Sequence, residues 1–454
     1  MNFTDLFDFQ QEDVEKLSGR PCRLIGSEMG TGKTYEGVAL DDVAGSSKTL
    51  VIAPLSVLSV WDEHFKTLSS REGVVIDPKD RERSWELFKK SESGLFMVHW
   101  DVLRLMPELR ATYWDHVIAD EVHRAQNRKA QQTQSLKKIK ASFKTGLSGT
   151  PFTNRPDQFW SVLNWLYPDE FSSYWRFYKQ HVDFEIQYPQ GYHKIAGPKN
   201  EAKLLAQISP FYTRHLKKEK CCAHHPNGVQ PQLPAKYYTE HWVDLHPKQR
   251  RAYSDMERDM LAWVGENEDT PLVASVVVAK LVRLAQFAVA YMEYYDDRWH
   301  LGEPSAKLDL VMDLILDNPE KQFVVFSQFK SAIKLLELRL RKKNVSYVIL
   351  TGDTSQADRG HFVQRFQNGR AQVFAGTIQA GGVGITLHAA STAIFLDRTW
   401  SPAVNAQAED RLHRIGQKDA VQIIDVMAKN TVDLGRQQQL VQKWEWIRRM
   451  LGDA

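Results

Sequence analysis

The stretch at 26–34 reads GSEMGTGKT and follows a strand-like segment. A glycine-rich turn that leads into a helix at Gly-Lys-Thr holds phosphate groups with its backbone N–H groups and with the positive end of the helix. Lys33 is predicted to reach the β- and γ-phosphates, and Thr34 to place its hydroxyl on Mg²⁺. The stretch therefore predicts an α/β fold with a nucleotide at the carboxyl end of a strand. Its predicted nucleotide contacts are Gly30, Thr31, Gly32, Lys33 and Thr34.

A second stretch, DEVH at 120–123, follows the apolar run HVIA. That run is typical of a buried strand, which would deliver two carboxylates at its end. Asp120 is predicted to hold the Mg²⁺ shell, and Glu121 to orient or deprotonate the attacking water. Either stretch alone could be chance. Both in this order, each after a strand, indicate a site that hydrolyses ATP.

Length and composition indicate a globular protein of two or more domains. At 454 residues and 52.3 kDa the chain exceeds what one ordinary core accommodates. Its 43% hydrophobic and 25% charged residues are typical of a globular protein in water. No apolar run approaches the roughly 18 to 20 residues that span a bilayer, and the acidic start MNFTDLFDFQ lacks a signal pattern. A cytoplasmic location without a membrane partner is therefore predicted.

Cysteine usage and net charge are less informative. Three cysteines, two of them adjacent at 221–222, cannot build a disulfide framework. The run CCAHH (221–225) suggests a metal site, but adjacent ligands seldom close a tetrahedron, so a polar surface loop is preferred. The net charge of +3 does not indicate a partner. Four basic runs are candidates for nucleic-acid contact, with solvated helix faces as the alternative: 128–144, 214–220, 248–251 and 339–343.

Two alternations of strand-like and helix-like segments organise the chain. Such an alternation predicts a parallel sheet covered by helices, with ligands at the carboxyl ends of the strands. The strand-like runs of the first are TLVIAP (49–54), LFMVH (95–99), HVIAD (116–120) and FKTGLSG (143–149). Those of the second are FVVFSQ (323–328), YVILTG (347–352), QVFAGT (372–377), TAIFLD (392–397) and VQIIDVM (421–427).

Domain boundaries follow from a change in composition between the two alternations. The N-terminal lobe is predicted at 1–225, with a helical insertion at about 156–220. A linker at 226–236 is predicted from the Pro-, Gly- and His-rich segment HHPNGVQPQLP, which breaks the pattern. The C-terminal lobe is predicted at 237–454, with a helical insertion at about 240–300.

The chain resembles the SWI/SNF-type branch of the superfamily-two helicase-like ATPases over nearly its whole length. The run QAEDRLHRIGQ is the most specific match, because it separates this branch from DEAD-box RNA helicases. The resemblance implies two RecA-like parallel-sheet lobes with inserted helical subdomains, which close on ATP. The matching stretches are EMGTGKT, TLVIAPLSVLSVWDEHF, DEVHRAQNRKAQQTQSLKKI, LSGTPFTNRPDQFWSVLNWLYP, FVVFSQF, GDTSQADRGHFVQRF, AGGVGITLHAA and TWSPAVNAQAEDRLHRIGQ.

The resemblance implies further roles in the first lobe. Gln10, in DFQQ, resembles the adenine-reading glutamine, with a solvated helix glutamine as the alternative. His123 would couple the hydrolytic carboxylates to the neighbouring strand. Ser148 and Thr150, in SGTP, resemble the relay between ATP and the nucleic-acid track, although SGTP is also a plain turn at the end of a strand.

In the second lobe, Arg411 and Arg414 match the arginine-finger positions of the family. A finger that stabilises the charge on the γ-phosphoryl oxygens accelerates the reaction on the order of 10³–10⁵-fold. The two arginines lie three residues apart and are predicted on one face of a helix, with a surface ion-pair set as the alternative. Gln407 and Gln417 flank them, and Gln407 is predicted to contact the ATP site.

A glycine loop in the second lobe, AGGVG at 380–384, is predicted to grip the DNA backbone, since glycine lets the chain approach a phosphate closely. A tight turn without a ligand is the alternative. In the family a tryptophan at the position of Trp400 lies near the duplex, whereas an isolated tryptophan is more often packed. The predicted nucleic-acid contacts are Ser56, Ser327, Thr351, Thr377, Gly382, Gly384 and Trp400.

These features predict an ATP-dependent translocase or remodeller on double-stranded DNA, duplex or branched, bound without sequence preference. The chain would be a compact motor of viral or bacterial type, because bromodomain-like, chromodomain-like and zinc-finger appendages are missing. It is also predicted to be a monomer without DNA and to be nucleoid-associated in a bacterial or virus-infected cell. One alternative is a strand-separating or annealing helicase of DNA repair or recombination. Another is an ATP-gated nucleic-acid-binding motor subunit of a restriction or defence complex.

Overall fold

A parallel sheet forms the middle of each of two units in the chain. A computed structural model describes residues 6–187, 192–219, 225–266, 273–296, 298–381 and 384–453. Unit 1 consists of Met1–Gln232 and Lys443–Ala454, and unit 2 of Leu233–Gln442. The two parallel sheets with flanking helices confirm the predicted α/β class.

The sheet of unit 1 has seven parallel strands in the order β3-β4-β2-β5-β6-β1-β9. Its central strands are buried and rich in β-branched residues, as a sheet covered on both faces requires. A separate two-stranded hairpin is formed by β7 and β8. The strands are β1 Cys22–Ile25, β2 Thr49–Ala53, β3 Val74–Val75, β4 Leu95–His99, β5 Tyr113–Asp120, β6 Lys140–Leu147, β7 Val182–Gln187, β8 Tyr192–Pro198 and β9 Tyr212–Thr213.

Helices cover the sheet of unit 1 and join its strands. Among the residues that the structure describes, four short 3-10 helices follow or precede the longer elements, at Leu55–Val57, Trp100–Arg104, Val122–Ala125 and Pro156–Gln158. The α-helices are α1 Asp8–Ser18, α2 Lys33–Val43, α3 Leu58–Ser69, α4 Arg81–Lys90, α5 Glu108–Ala111, α6 Gln131–Lys137, α7 Phe159–Leu166, α8 Tyr174–His181 and α9 Glu201–Ile208.

The sheet of unit 2 has six parallel strands in the order β10-β17-β16-β13-β15-β14. An antiparallel hairpin, β11 with β12, stands apart from it. The strands are β10 Lys236–Val243, β11 Tyr291–Tyr295, β12 Arg298–Gly302, β13 Phe323–Ser327, β14 Tyr347–Leu350, β15 Val373–Thr377, β16 Thr392–Phe395 and β17 Val421–Ala428. The helices are α10 Pro247–Glu266, α11 Val273–Val289, α12 Ala306–Leu316, α13 Lys330–Lys342, α14 Gln356–Gln367, α15 Ile378–Gly381, α16 Pro402–Glu409 and α17 Val432–Leu451.

The boundaries differ from those predicted in two respects. Residues 443–454 belong to unit 1, because Ile447, Met450 and Leu451 are buried in its hydrophobic core. The segment predicted as a linker is held in place before the change of unit at Gln232, since the N–H groups of Val229 and Gln230 donate to the carbonyl oxygens of Leu216 and Lys217. The predicted helical insertions also contain the two hairpins.

We searched the helices of the described residues for candidate membrane spans and found none. None of the helices within the described ranges has both the length and the apolar character that crossing a bilayer requires.

Candidate active site

The glycine-rich loop connects β1 to α2, as the sequence predicts. Gly30 and Gly32 have φ angles of +79° and +85°, a region that glycine adopts without strain. A Cβ atom on Gly32 would lie 2.6 Å from Nε2 of Gln10, so a side chain there would have to displace the Gln10 amide. The helix begins at Lys33 directly after this turn, which places the N–H groups of its first turn at the loop.

Three elements of unit 1 fasten this loop from outside. Gln10 of α1 is buried, and its Nε2 donates to the carbonyl oxygens of Thr31 (3.0 Å) and Gly32 (3.2 Å). Gln230 Nε2 donates to the carbonyl of Gly30 at 2.9 Å. The N–H of Glu28 donates to the carbonyl of His215 at 2.9 Å. The loop is therefore held in one conformation, and the amide of Gln10 is engaged with it; the adenine contact of Gln10 stays a prediction.

Lys33 is directed at the loop and lies near the acidic pair. Its Nζ donates to the carbonyl oxygens of Ser27 and Glu28, both at 2.7 Å. Burial lowers the pKa of Lys33, and the nearby charges of Glu121, Glu36 and Asp120 oppose that lowering. Phosphate oxygens would be stronger acceptors for this ammonium group than the two carbonyl oxygens are.

Asp120 and Glu121 lie at the carboxyl end of β5, two strands from β1. Asp120 is fixed by three bonds: its Oδ2 accepts from Trp61 Nε1 at 3.0 Å, its Oδ1 from the Glu121 N–H at 2.9 Å, and its carbonyl from Trp100 Nε1 at 2.9 Å. Burial, aided by the charge of Glu121, raises the pKa of Asp120 to about 6. Such a partly buried pair of carboxylates favours a cation beside it.

The predicted coupling residues come together beside Glu121. The Nδ1 of His123 lies 3.2 Å from Oε2 of Glu121 and 3.1 Å from Oγ of Ser148. Ser148 in turn accepts from the N–H of Thr150 at 3.2 Å. The arrangement follows from the strand order, since β6 lies between β5 and β1 and its SGTP turn emerges between the two loops. The buried Thr150 hydroxyl has no hydrogen-bond partner within the described residues.

The donor set of this site fits Mg²⁺ that arrives with phosphate. Mg²⁺ is commonly held by one or two carboxylates together with phosphate oxygens. Asp120 supplies a fixed carboxylate, and Thr34 a hydroxyl in the first turn of α2. Within the described ranges, no three His, Cys, Asp or Glu side chains gather as a metal centre of their own. Cys221 and Cys222 lie outside those ranges.

In unit 2, Arg411 and Arg414 converge on one loop. Nη1 of each donates to the carbonyl of Ile385, at 3.4 Å and 3.3 Å, and Nη1 of Arg414 also donates to Oγ1 of Thr386 at 2.8 Å. The prediction that both lie on a helix face is wrong, because α16 ends at Glu409. Beyond that residue the backbone forms turns, and the carbonyl of Arg411 accepts from the N–H of Leu387 instead of continuing a helix.

The end of α16 is held by a network of buried charged side chains that the sequence did not predict. Glu409 accepts from Arg398 (2.5 Å), from Lys236 (3.2 Å) and from the Tyr238 hydroxyl (2.8 Å). Arg398 also binds both carboxylate oxygens of Asp425, at 2.6 and 3.0 Å. Burial alone would raise the pKa of Glu409, but Lys236 and Arg398 bring it down to about 2. β10, β17 and the segment after β16 thus fix the turn that carries the arginines.

Two glutamines flank these arginines in different settings. Gln417 closes the turn, since its Nε2 donates to the carbonyl oxygens of His388, Ala390 and Leu412. Gln407 is buried on α16. Its predicted contact to the ATP site stays a prediction.

The residues predicted to contact nucleic acid differ in how exposed they are. Ser327 is fully buried and its hydroxyl donates to Asp397, which does not fit a direct contact with nucleic acid. Thr351 is buried and its hydroxyl accepts from the N–H of Asp353 in a turn. Gly384 is exposed with φ +73°, while Gly382 lies outside the described residues. The remaining three are half-buried: Ser56, Thr377 and Trp400.

All four basic runs make internal contacts, and two of them place cations in largely buried positions. In 214–220, Lys217 is buried and the side chain of Arg214 is only 10% exposed, so neither lies on a solvated face. In 128–144, Lys137 lies 4.5 Å from the Trp160 ring and donates to Asn164, and burial lowers its pKa to about 8. Sequence reasoning missed these roles because charge alone does not distinguish a buried cation from an exposed one.

Comparisons with known proteins find matching domain families and relatives. The SNF2-related domain family matches residues 9–287, and the helicase conserved C-terminal domain matches 306–416. An uncharacterized ATP-dependent helicase of Mycoplasma pneumoniae is 29% identical over 99% of this chain and 42% of its own length. The ISWI chromatin-remodeling complex ATPase ISW1 of Saccharomyces cerevisiae is 26% identical over 90% of this chain and 37% of its own length.

The chain thus spans about two fifths of the length of these relatives. A solved structure, the Sulfolobus solfataricus SWI2/SNF2 ATPase core in complex with dsDNA, is 23% identical over 99% of this chain and 93% of its own, with a TM-score of 0.44. That score is too low to add to the argument. Because the SNF2-related model alone matches well over half of the residues, the chain belongs to the SNF2 family and is an ATP-hydrolysing enzyme.

Proposed function

We propose that the chain is an ATP-dependent translocase on double-stranded DNA. The observation that carries the proposal is the run of close contacts in unit 1 from Glu121 through His123 to Ser148, at 3.2 and 3.1 Å. Such a path lets a change at the γ-phosphate move the SGTP turn, and a motor needs that link where a simple ATPase does not. The names of the relatives, an ATP-dependent helicase and a chromatin-remodeling ATPase, support the same class.

In the proposed reaction the residues of unit 1 bind the phosphates of ATP and activate the attacking water. The loop N–H groups and Lys33 hold the phosphates, and Glu121 orients or deprotonates the attacking water. Bound Mg²⁺, held by Thr34 and Asp120, would neutralise charge on the β- and γ-phosphate oxygens. Arg411 and Arg414 of unit 2 are proposed to stabilise the charge that develops on the γ-phosphoryl group.

DNA is proposed to bind through its backbone, with Gly384, Thr377 and Trp400 as contacts in unit 2 and Ser56 in unit 1. Phosphate contacts supply affinity without reading the sequence. The role that remains for Ser327 is indirect, because its hydroxyl holds Asp397 at the end of β16.

The test is an ATPase titration against blunt duplex, single strand, forked DNA and structured RNA. We expect blunt duplex to stimulate hydrolysis most, and the protein to displace a third strand from a triplex with ATP. Equal stimulation by all four nucleic acids, or none, would contradict the proposal. A fork-displacement assay separates the helicase alternative, since a translocase that does not unwind leaves both fork strands annealed.

A further inference from the structure

Arg214 connects two catalytic loops of unit 1 that are far apart in sequence. It follows β9, and its Nη1 donates both to the carbonyl of Gly26, where the phosphate loop begins, and to the carbonyl of Gly149 in the SGTP turn at 2.7 Å. A single guanidinium nitrogen therefore sets the separation between the two loops.

Asp453 holds Arg214 in this position. Nε of Arg214 donates to Oδ1 of Asp453 at 2.8 Å, and Nη2 donates to Oδ2, which is the two-pronged geometry of a carboxylate on a guanidinium. The side chains are only 10% and 5% exposed. A buried arginine in two-pronged contact cannot turn without breaking both bonds, so its Nη1 stays fixed on the loops.

The carboxylate is itself anchored by unit 1. It follows α17, whose buried residues Ile447, Met450 and Leu451 belong to the core of that unit. Nη2 of Arg448 donates to the carbonyl of Asp453 at 2.9 Å, and the Tyr212 hydroxyl donates to the carbonyl of Leu451 at 3.4 Å. Asp453 thus offers Arg214 a rigid support.

The two loops depend on Arg214 to different degrees. The phosphate loop has other anchors, among them the bonds from Gln10 and Gln230. The Gly149 carbonyl is held by Arg214, and the adjacent Ser148 contacts His123, which pairs with Glu121. Loosening Arg214 would therefore displace the hydrolytic carboxylate more than the phosphate loop.

We propose that Arg214 and Asp453 are positioning residues for ATP hydrolysis, which align the SGTP turn and, through His123, Glu121. The inference rests on ATP hydrolysis and not on DNA translocation, so it stands if the proposed function fails. The readout is ATPase turnover with and without DNA, alongside binding of a fluorescent ATP analogue.

The primary variant is Asp453→Asn, which keeps the shape and removes the charge. Misplacement of a catalytic group by a fraction of an ångström to 1 Å costs on the order of 10–100-fold in rate. We expect kcat to fall about ten-fold while the Kd for the analogue changes less than about two-fold. Asp453→Glu should restore part of kcat. Arg449→Ala is the control. Arg449 lies on α17, as do the residues that anchor Asp453, but it pairs with Glu201 of α9 and touches neither loop.

A double-variant cycle with Ser148→Ala tests the route. If Asp453 acts through the SGTP turn, the double variant should lose less than the product of the two single losses. Unchanged kcat with a lowered Tm would overturn the proposal and leave only a structural role. Equal losses in affinity and kcat would assign the pair to nucleotide binding instead. Should Asp453→Asn fail to fold, Arg214→Lys keeps the charge without the two-pronged contact and decides the same question.

Discussion

Glu121 holds an uncommon backbone conformation beside the phosphate loop. Its φ of +52° lies in the left-handed region, which costs a non-glycine residue on the order of 1 kcal/mol or more. The turn directs its carboxylate to within 3.2 Å of His123. Strain of this kind persists where the surrounding structure enforces it, and functional sites are where it concentrates.

Glu121→Gln should abolish turnover without loss of ATP binding. The amide keeps the shape but can neither take a proton nor orient water as an anion does, so we expect a fall on the order of 10²–10⁴-fold. Lys33→Ala is the comparison, because it should lose turnover and phosphate affinity together. Phosphate release and fluorescent-analogue binding measure the two effects. A Glu121→Gln protein that hydrolyses ATP at the parent rate would refute the assignment.

Glu36 predicts a pH-dependent stability. It is fully buried in α2 and neither carboxylate oxygen has a hydrogen-bond partner within the described residues. Burial, and then the charge of Asp13, raise its pKa well above the ordinary value, while Lys33 opposes the rise. The folded state keeps the proton at pH values where the unfolded chain has lost it. The free energy of unfolding must therefore fall as pH rises from the unfolded pKa of about 4.3 to the folded one.

Glu36→Gln should remove that loss. We expect the difference between the Tm of the variant and that of the parent to increase as pH rises from 5 to 8. The increase should be about 2–4 °C for each kcal/mol of unfolding free energy that the variant no longer loses. Glu15→Gln, at an exposed position of α1, is the control. A difference in Tm that stays constant over this pH range would show that ionisation of Glu36 does not affect stability.

At the scale of elements, the arginine turn after α16 is the feature that helical spacing did not predict. An i, i+3 spacing is compatible with a helix, but this segment is bonded to residues distant in sequence. The N–H of Leu387 donates to the carbonyl of Arg411, and Nε2 of Gln417 donates to the carbonyl of His388. Both guanidinium groups nevertheless meet at Ile385. The residues could be selected from the sequence, whereas the local structure that carries them could not.

Arg414→Ala should lower ATP turnover by about 10³-fold or more, with nucleotide affinity little changed. The reason is that a finger acts on charge present only in the transition state. Lys418→Ala, exposed in the same turn, is the matched control. If analogue binding fell as far as turnover, the finger assignment would be wrong.

The charged side chains that pair with Glu409 behind that turn are expected to stabilise unit 2. Removing the charge of Glu409 leaves Arg398 and Lys236 without part of their compensation, which costs about 3–5 kcal/mol for a buried pair. Glu409→Gln should lower the midpoint temperature of the thermal unfolding of unit 2 by about 6 °C or more. Asp255→Asn, which removes an exposed pair with Arg258, should change it by less than about 2 °C. Similar shifts in both variants would exclude a structural role for the buried network.

Because the pKa of Glu409 lies below its unfolded value, this contribution is present above about pH 4.3 and is lost as pH falls towards 2.

At the scale of the whole molecule, the apolar runs located nine strands because central strands of a covered sheet are continuous and rich in β-branched residues. They did not reveal β9, whose two residues are placed by pairing with Leu24 and Ile25. They also did not assign residues 443–454 to unit 1, since that depends on which core receives Ile447 and Met450. Long-range packing of this kind leaves no periodic signal in the sequence.

Duplex binding should depend steeply on salt if the proposed function is right. Phosphate contacts release counterions, so log K falls with log[salt] at about −0.9 per neutralised phosphate. With about four such contacts, affinity for a duplex should drop on the order of 10²-fold between 50 and 200 mM salt. Anisotropy with duplexes of unrelated sequence measures both the slope and the expected lack of sequence preference. A flat salt dependence, or one duplex bound far more tightly than another, would mean that base edges rather than phosphates provide the affinity.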